Sequence, residues 1–178
     1  MCIIAGYTGN RAAAPILIEM LKKTEYIDGG LSTGIATIHE GKLHVRKVLG
    51  DVDTLLRETD ALSLPGTTGI IHSRTNNNFI TFAHPQLSDD GKLAAVDNGT
   101  MHQALCPEFE AESNGIMAEL ISRGITVRSE VEADCGYKKL PNGNGYHETE
   151  LWALYIGDKV KNSKKTRSAR TSQRRRRR

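Results

Sequence analysis

Cys2-Ile3-Ile4-Ala5-Gly6-Tyr7, closed by Thr8-Gly9-Asn10, is a short apolar run ending in turn formers, the pattern of a buried strand and its turn. Downstream, residues 11–25 set Ala14, Ile18 and Leu21 at helical spacing, with Leu17 adjacent and Pro15 suited to a first turn. This predicts a helix laid against a core. Residues 31–39 and 42–49 are two β runs joined at Glu40-Gly41, and Asp51 can cap a short helix through Leu55 and Leu56. Further strands are expected over 67–73 and 92–96, then an amphipathic helix over 113–123 stopped by Gly124. Another strand should begin at 125–127, a loop should fill 135–145, and helical spacing resumes over 147–156.

The 178 residues are 38% apolar and 25% charged, which suits one globular domain with an appendage. No apolar run approaches the roughly 20 residues that span a bilayer, so no membrane partner is expected. Three widely spaced cysteines, Cys2, Cys106 and Cys135, argue against a disulfide framework and for a reducing, cytoplasmic setting. His39 with His44, and His84 with His102 and Cys106, lack a ligand spacing, so neither metal nor cofactor is expected.

Charge divides the chain. Eleven of the 24 lysines and arginines lie in residues 159–178, beginning at Lys159 and ending in five consecutive arginines, Arg178 the last. Residues 1–158 keep 13 against 21 acids, a body of about −8. The division is therefore a domain over 1–158 and a basic tail over 159–178, too poor in apolar residues to order itself. Such a tail is a ligand for polyanions, and RNA or DNA is the leading partner. An acidic protein surface, a localisation signal and an added expression segment remain open alternatives. No aromatic residue follows Tyr155, so any nucleic-acid contact should be sequence-tolerant.

A cysteine at position 2 is, by itself, most simply a small buried apolar residue. Removal of Met1 changes its chemistry, because thiol and α-amine then share one residue. Their reference pKa values, about 8.5 and about 8, let the amine take the thiol proton near neutral pH. That supplies nucleophile and base without a histidine.

The run at residues 2–7 resembles the start of class II glutamine amidotransferase domains, especially the glucosamine-6-phosphate synthase branch. The likeness continues through Ser32-Thr33-Gly34-Ile35-Ala36, Gly41-Lys42-Leu43, Lys47 and Gly50-Asp51-Val52. It then takes in Gly69-Ile70-Ile71-His72-Ser73-Arg74, Ala83-His84-Pro85, and the block from Gly91 to Asp97-Asn98-Gly99. Each block is weak alone; their shared order over residues 2–99 is specific. The resemblance implies an α+β fold, a four-layer α/β/β/α sandwich of two stacked, mainly antiparallel sheets.

It also implies roles. Cys2 is the nucleophile, and Asn98 and Gly99 are the oxyanion pair, through a side-chain amide and a backbone N–H. One such donor is typically worth about 3 kcal/mol of barrier. Arg74 answers to the partner of the substrate α-carboxylate, with Thr75 and His84 beside it on the substrate side. His72 and His84 order the pocket wall. Bland alternatives stay open: an Asn-Gly turn closing a strand, and a surface arginine.

Two departures stand out. Thr75-Asn76-Asn77-Asn78-Phe79 replaces an aromatic-containing segment ending in His-Gly that forms a lid in the family. The family's acidic block is split here between Arg128-Ser129-Glu130 and His147-Glu148-Thr149-Glu150-Leu151. Glu148 takes the place of the acid that holds the substrate ammonium, with Glu132 and Asp134 as rivals. Equally, the glutamates are an acidic first helical turn favoured by the macrodipole. The implied substrate is L-glutamine, with ammonia passed to a synthase site on a separate chain. The alternative is a catalytically degenerate member of the fold, associated with nucleic acid through its tail.

Overall fold

The computed structural model describes residues 2–75, 79–99, 107–132 and 138–176, the side chains of 107–110 and 164–176 excepted. The opening apolar run is strand β1 (Ile3–Thr8), and the predicted helix is α1 (Ala13–Lys22), with Pro15 in its first turn. Strands β2 (Ser32–His39) and β3 (Lys42–Val48) form the expected hairpin, and helix α2 (Val52–Glu58) starts where Asp51 accepts a bond from the Thr54 N–H at 2.8 Å. With β4 (Thr68–Arg74) they build one antiparallel sheet in the order β1-β4-β2-β3.

Strand alternation gives this sheet two different faces. On one, Ile35 of β2 and Ile71 of β4 meet Leu17, Ile18 and Leu21 of α1 and Leu55 of α2, and this is the main apolar core. Glu25 laces that side together. Its carboxylate accepts from Ser73 Oγ at 2.5 Å, Thr33 Oγ1 at 3.2 Å and the Val52 N–H at 2.9 Å.

The opposite face carries Gly34, Lys47, His72 and Arg74 and receives the second layer. Strands β5 (Gln86–Leu87) and β6 (Ala94–Ala95) form its short antiparallel pair. Helix α4 (Glu148–Arg176) packs on both, and helix α3 (Pro107–Ser122) packs on α4. A second core of Met117, Leu120, Val127, Leu140, Tyr146, Leu151 and Leu154 closes this side. The layers therefore run helix, sheet, sheet, helix, as the resemblance implies, with a second sheet much smaller than the first.

Three local expectations differ from the structure. Residues 125–127 belong to no strand; the N–H groups that follow, of Arg128 and Ser129, bond the Glu150 carboxylate and not a neighbouring strand. Within the expected loop over 135–145, β7 (Lys138–Lys139) pairs with β8 (Gly145–Tyr146). No break in helix marks residue 158, because α4 continues to Arg176. Among the described residues, no helix is long and apolar enough to cross a membrane.

At Gly34 the main sheet meets the segment that leads into β5. A Cβ there would lie 2.0 Å from the backbone oxygen of His84 and 3.1 Å from that of Arg46. Lys47 holds the same crossing from the side, donating to Ala83 O at 2.8 Å and Pro85 O at 3.2 Å. Neither backbone oxygen can swing away as a side chain would. Gly34→Ala should therefore cost about 1–3 kcal/mol, the usual range for overpacking, read as a lower urea midpoint with an unchanged slope. An unchanged midpoint would show that the layers part freely.

Candidate active site

The register of β1 and β4 pairs Ile3 with Ser73 and Ile4 with His72, so Cys2 stands at the end of the ladder where β4 closes with Arg74. Its half-buried position abuts the strap that follows β6. There the backbone N–H of Cys2 donates to Asn98 Oδ1 at 3.2 Å, joining residues 96 positions apart. With Oδ1 engaged, the other end of the amide, Nδ2, is the donor that Asn98 has to offer. Gly99 follows at φ +111°, a conformation that L side chains rarely adopt, and among the described residues beyond its chain neighbours no atom lies within 4 Å of where its Cβ would be.

Behind this pair lies a directed chain of hydrogen bonds. A carbonyl only accepts, so His72 Nε2 carries the proton that goes to Asp97 O at 2.9 Å. His84 Nδ1, 3.2 Å from the same His72 nitrogen, must then be the lone-pair side of its ring. His84 Nε2–H points to Thr149 Oγ1 at 3.0 Å, and the Thr149 hydroxyl in turn bonds the Asp97 carboxyl. Asp97 is thus held at both its backbone and its side chain, and Asn98 is the next residue.

Arg74 is 7% exposed and donates through Nη1 to Phe82 O at 2.9 Å and to His147 Nε2. Since arginine only donates, His147 presents a lone pair there. The His147 ring also meets that of His84 edge to face, with ring centroids 4.9 Å apart, and the backbone N–H of His147 donates to Ser129 Oγ at 2.9 Å.

Burial governs the electrostatics. It pulls His72 down to about 4 and His147 to about 3, and drives His84 well below the ordinary imidazole value. All three rings are therefore neutral at pH 7. Burial raises the Asp97 carboxyl; the Thr149 bond opposes this and the Glu148 charge adds to it. The Lys47 ammonium is lowered, chiefly by burial.

Cys2, Asn98 and Gly99 therefore sit at one end of the main sheet, with Arg74 and Thr75 at the end of β4 and Glu148 at the head of α4. His84 lies buried behind them. Glu132 is exposed, and Asp134 and residues 76–78 fall outside the described residues. Asp97, Thr149 and His147 join the cluster without having been singled out for it. Asp97 beside Asn98 was visible in the sequence, whereas nothing local announced that Thr149 meets a histidine 65 positions away.

No family model matches the chain. It is 37% identical over 137 residues to the isomerizing glutamine–fructose-6-phosphate aminotransferase of Pyrococcus horikoshii, covering 75% of this chain and 21% of that protein. The protein of the same name from Caldanaerobacter subterraneus is 38% identical over 108 residues, covering 59% and 18%. The chain thus spans about a fifth of the length of these relatives. Among solved structures, the glutamine phosphoribosylpyrophosphate amidotransferase from B. subtilis, complexed with ADP and GMP, shares the fold. Its TM-score is 0.54 at 18% identity, over 76% of this chain and 28% of that one.

The buried imidazoles set an acid limit. Their folded pKa values lie below the unfolded value of about 6.5, so as pH falls through 6.5 the unfolded chain binds protons that the folded chain refuses. Stability should fall between pH 6.5 and about 4. Asp97, shifted upward, acts in the opposite sense with one group against three, and the lowered carboxyls of Asp51 and Asp60 matter only near and below their ordinary value of 3.8. Urea midpoints at pH 7.5, 5.5 and 4.5 should decline in that order; a flat profile would mean that the rings are already charged in the fold.

Proposed function

This chain belongs to the class II glutamine amidotransferases, and on that premise we propose that it hydrolyses the side-chain amide of L-glutamine through Cys2 as an N-terminal nucleophile. The observation that carries the reading is the bond from Cys2 N–H to Asn98 Oδ1. It sets a candidate thiol nucleophile beside an amide donor, with a glycine at positive φ next along the strap.

With Met1 removed, the Cys2 α-amine takes the thiol proton and the thiolate attacks the carboxamide carbon, forming the C–S bond. The displaced electron pair becomes an oxyanion facing Asn98 Nδ2 and the Gly99 N–H, donors fixed before the charge appears. Collapse breaks the C–N bond as the α-ammonium returns its proton to the leaving nitrogen, which departs as ammonia. Water then cleaves the γ-glutamyl thioester, giving glutamate and regenerating the thiol. Arg74, Thr75, His84 and Glu148 form the substrate side in this reading. The three buried imidazoles stay neutral, so none competes with the amine as base. Ammonia passes to a synthase site on a separate chain.

In a preparation shown by intact mass to begin at Cys2, L-glutamine should yield ammonia, and an acid quench should trap a γ-glutamyl adduct on Cys2. Cys2→Ala should abolish both. Asn98→Ala should lower kcat by roughly 10²–10³ with a smaller change in KM, the signature of a donor that acts mainly in the transition state. Ammonia release undiminished in Cys2→Ala would sink the mechanism.

A further inference from the structure

The chemistry at Cys2 makes no use of the basic stretch from Lys159 onward, and the fold makes that stretch part of α4. Near its head the helix is buried at Leu151, Ala153 and Leu154, whereas every residue from Lys159 to Ser163 is exposed. The helix still continues to Arg176, which gives the basic stretch a length of about 27 Å at 1.5 Å per residue.

Nine of the 18 residues from Lys159 to Arg176 are lysine or arginine, and none is acidic. In helical register Lys161 stands three and four positions before Lys164 and Lys165. The same like-charge spacing recurs at Lys164 and Arg167, Arg167 and Arg170, and Arg170 and Arg174. Such neighbours repel one another on a helix, and no acid within the stretch offsets them. The carboxylates where α4 emerges already answer to other groups. Asp158 accepts from Arg123 Nη1 at 3.0 Å and from Asn162 Nδ2 at 3.1 Å. Asp90 accepts from Ser88 Oγ at 2.9 Å and from the Lys92 N–H at 3.2 Å. Lys161 lines the cleft with these two acids, so the cations that lie farthest from any acid in sequence are those from Lys164 to Arg176.

We propose that the distal half of α4 binds the phosphate backbone of nucleic acid without reading its sequence, a property independent of the chemistry at Cys2. A row of phosphates supplies the anions that this helix lacks, and each phosphate met releases counterions. Five of the nine cations are arginines, whose planar fork takes phosphate oxygens in pairs. The stretch has no aromatic side chain to stack on a base, which confines contact to the backbone. An anionic lipid surface fits less well. A helix lying on a membrane needs an apolar face, and Val160 and Ala169 are the only apolar residues from Lys159 to Arg176.

The test titrates the full-length protein into two labelled probes of mixed sequence, a short duplex DNA and a short single-stranded RNA. Vesicles containing phosphatidylserine, and polyglutamate, serve as rival polyanions. At least one probe should bind, with affinity falling roughly 10³-fold between 50 and 200 mM salt, as about six phosphate contacts require. The tighter of the two probes identifies the source of the phosphates, and a scrambled sequence should bind within about threefold. Lys164→Gln, Lys165→Gln, Arg167→Gln and Arg170→Gln together remove charge but keep good helix formers. They should weaken binding at least about a hundredfold at 100 mM salt, with the urea midpoint unchanged as the sign of an intact fold. Arg167→Lys with Arg170→Lys, which keeps the charge, should stay within about threefold of wild type. No binding of either probe at 50 mM salt overturns the assignment. So does undiminished binding by the glutamine variant, or tighter binding to the vesicles or to polyglutamate at equal salt.

Discussion

Everything around Cys2 depends on the backbone oxygen of His84 occupying the space that a side chain on Gly34 would fill. That approach lowers the second layer onto the first by roughly one side-chain thickness. Lys47 bonds the carbonyls on either side of the crossing and keeps residues 83–85 in place. With this segment fixed, the His84 ring reaches His72 and Thr149, and through them Asp97 is anchored. The strap carrying Asn98 then has only one residue of freedom before it meets Cys2. A separation of 96 residues along the chain is closed by contacts that each depend on the layers being this near.

The same closeness explains why polar groups fill the space between the sheets. Backbone so near a facing strand leaves its carbonyls without water, and these oxygens need donors. Lys47, Arg74 and His72 provide them at Ala83, Pro85, Phe82 and Asp97. Imidazoles suit the remaining gaps because a neutral ring offers one donor and one acceptor without a charge to desolvate. Charging three adjacent rings beside Arg74 and Lys47 would set five cations in one buried layer, so neutrality follows from geometry as well as from burial. Asp97 stands at the rim of this layer, where it retains contact with solvent.

Legibility in the sequence followed the range of the interactions. The hairpin of β2 and β3, the Asp51 cap and α1 with Pro15 near its start each rest on residues within a few positions of one another, and each was readable. The block order over residues 2–99 carried the fold, since glycines such as Gly34 mark places where layers meet. What stayed hidden was every contact made across the layers. Thr149 between two glutamates reads as helix surface until His84 is known to stand opposite it. His147 reads as the start of a helical pattern, and its bond to Arg74 spans 73 positions. Residues 125–127 have strand composition, but the N–H groups after them find a glutamate from α4 first, which no local pattern records.

Asn98 illustrates how narrow the chemical choice becomes once the backbone is fixed. The position has to accept from the Cys2 N–H and also offer a donor to the facing space. Aspartate would accept but bring no donor when ionised, and it would add a second negative charge beside Asp97. Serine or threonine has a shorter reach and a single oxygen for both tasks. Glutamine has the same amide on a longer stem, with one more torsion to freeze before the group is in place. Asparagine alone among these joins acceptor and donor on a rigid plane at short reach, so the bond to Cys2 also orients the donor. The glycine after it then has to turn through a positive φ, which directs its own N–H from a backbone conformation that other residues would strain to adopt. One contact at the beginning of the chain therefore dictates the identities of two residues near its middle.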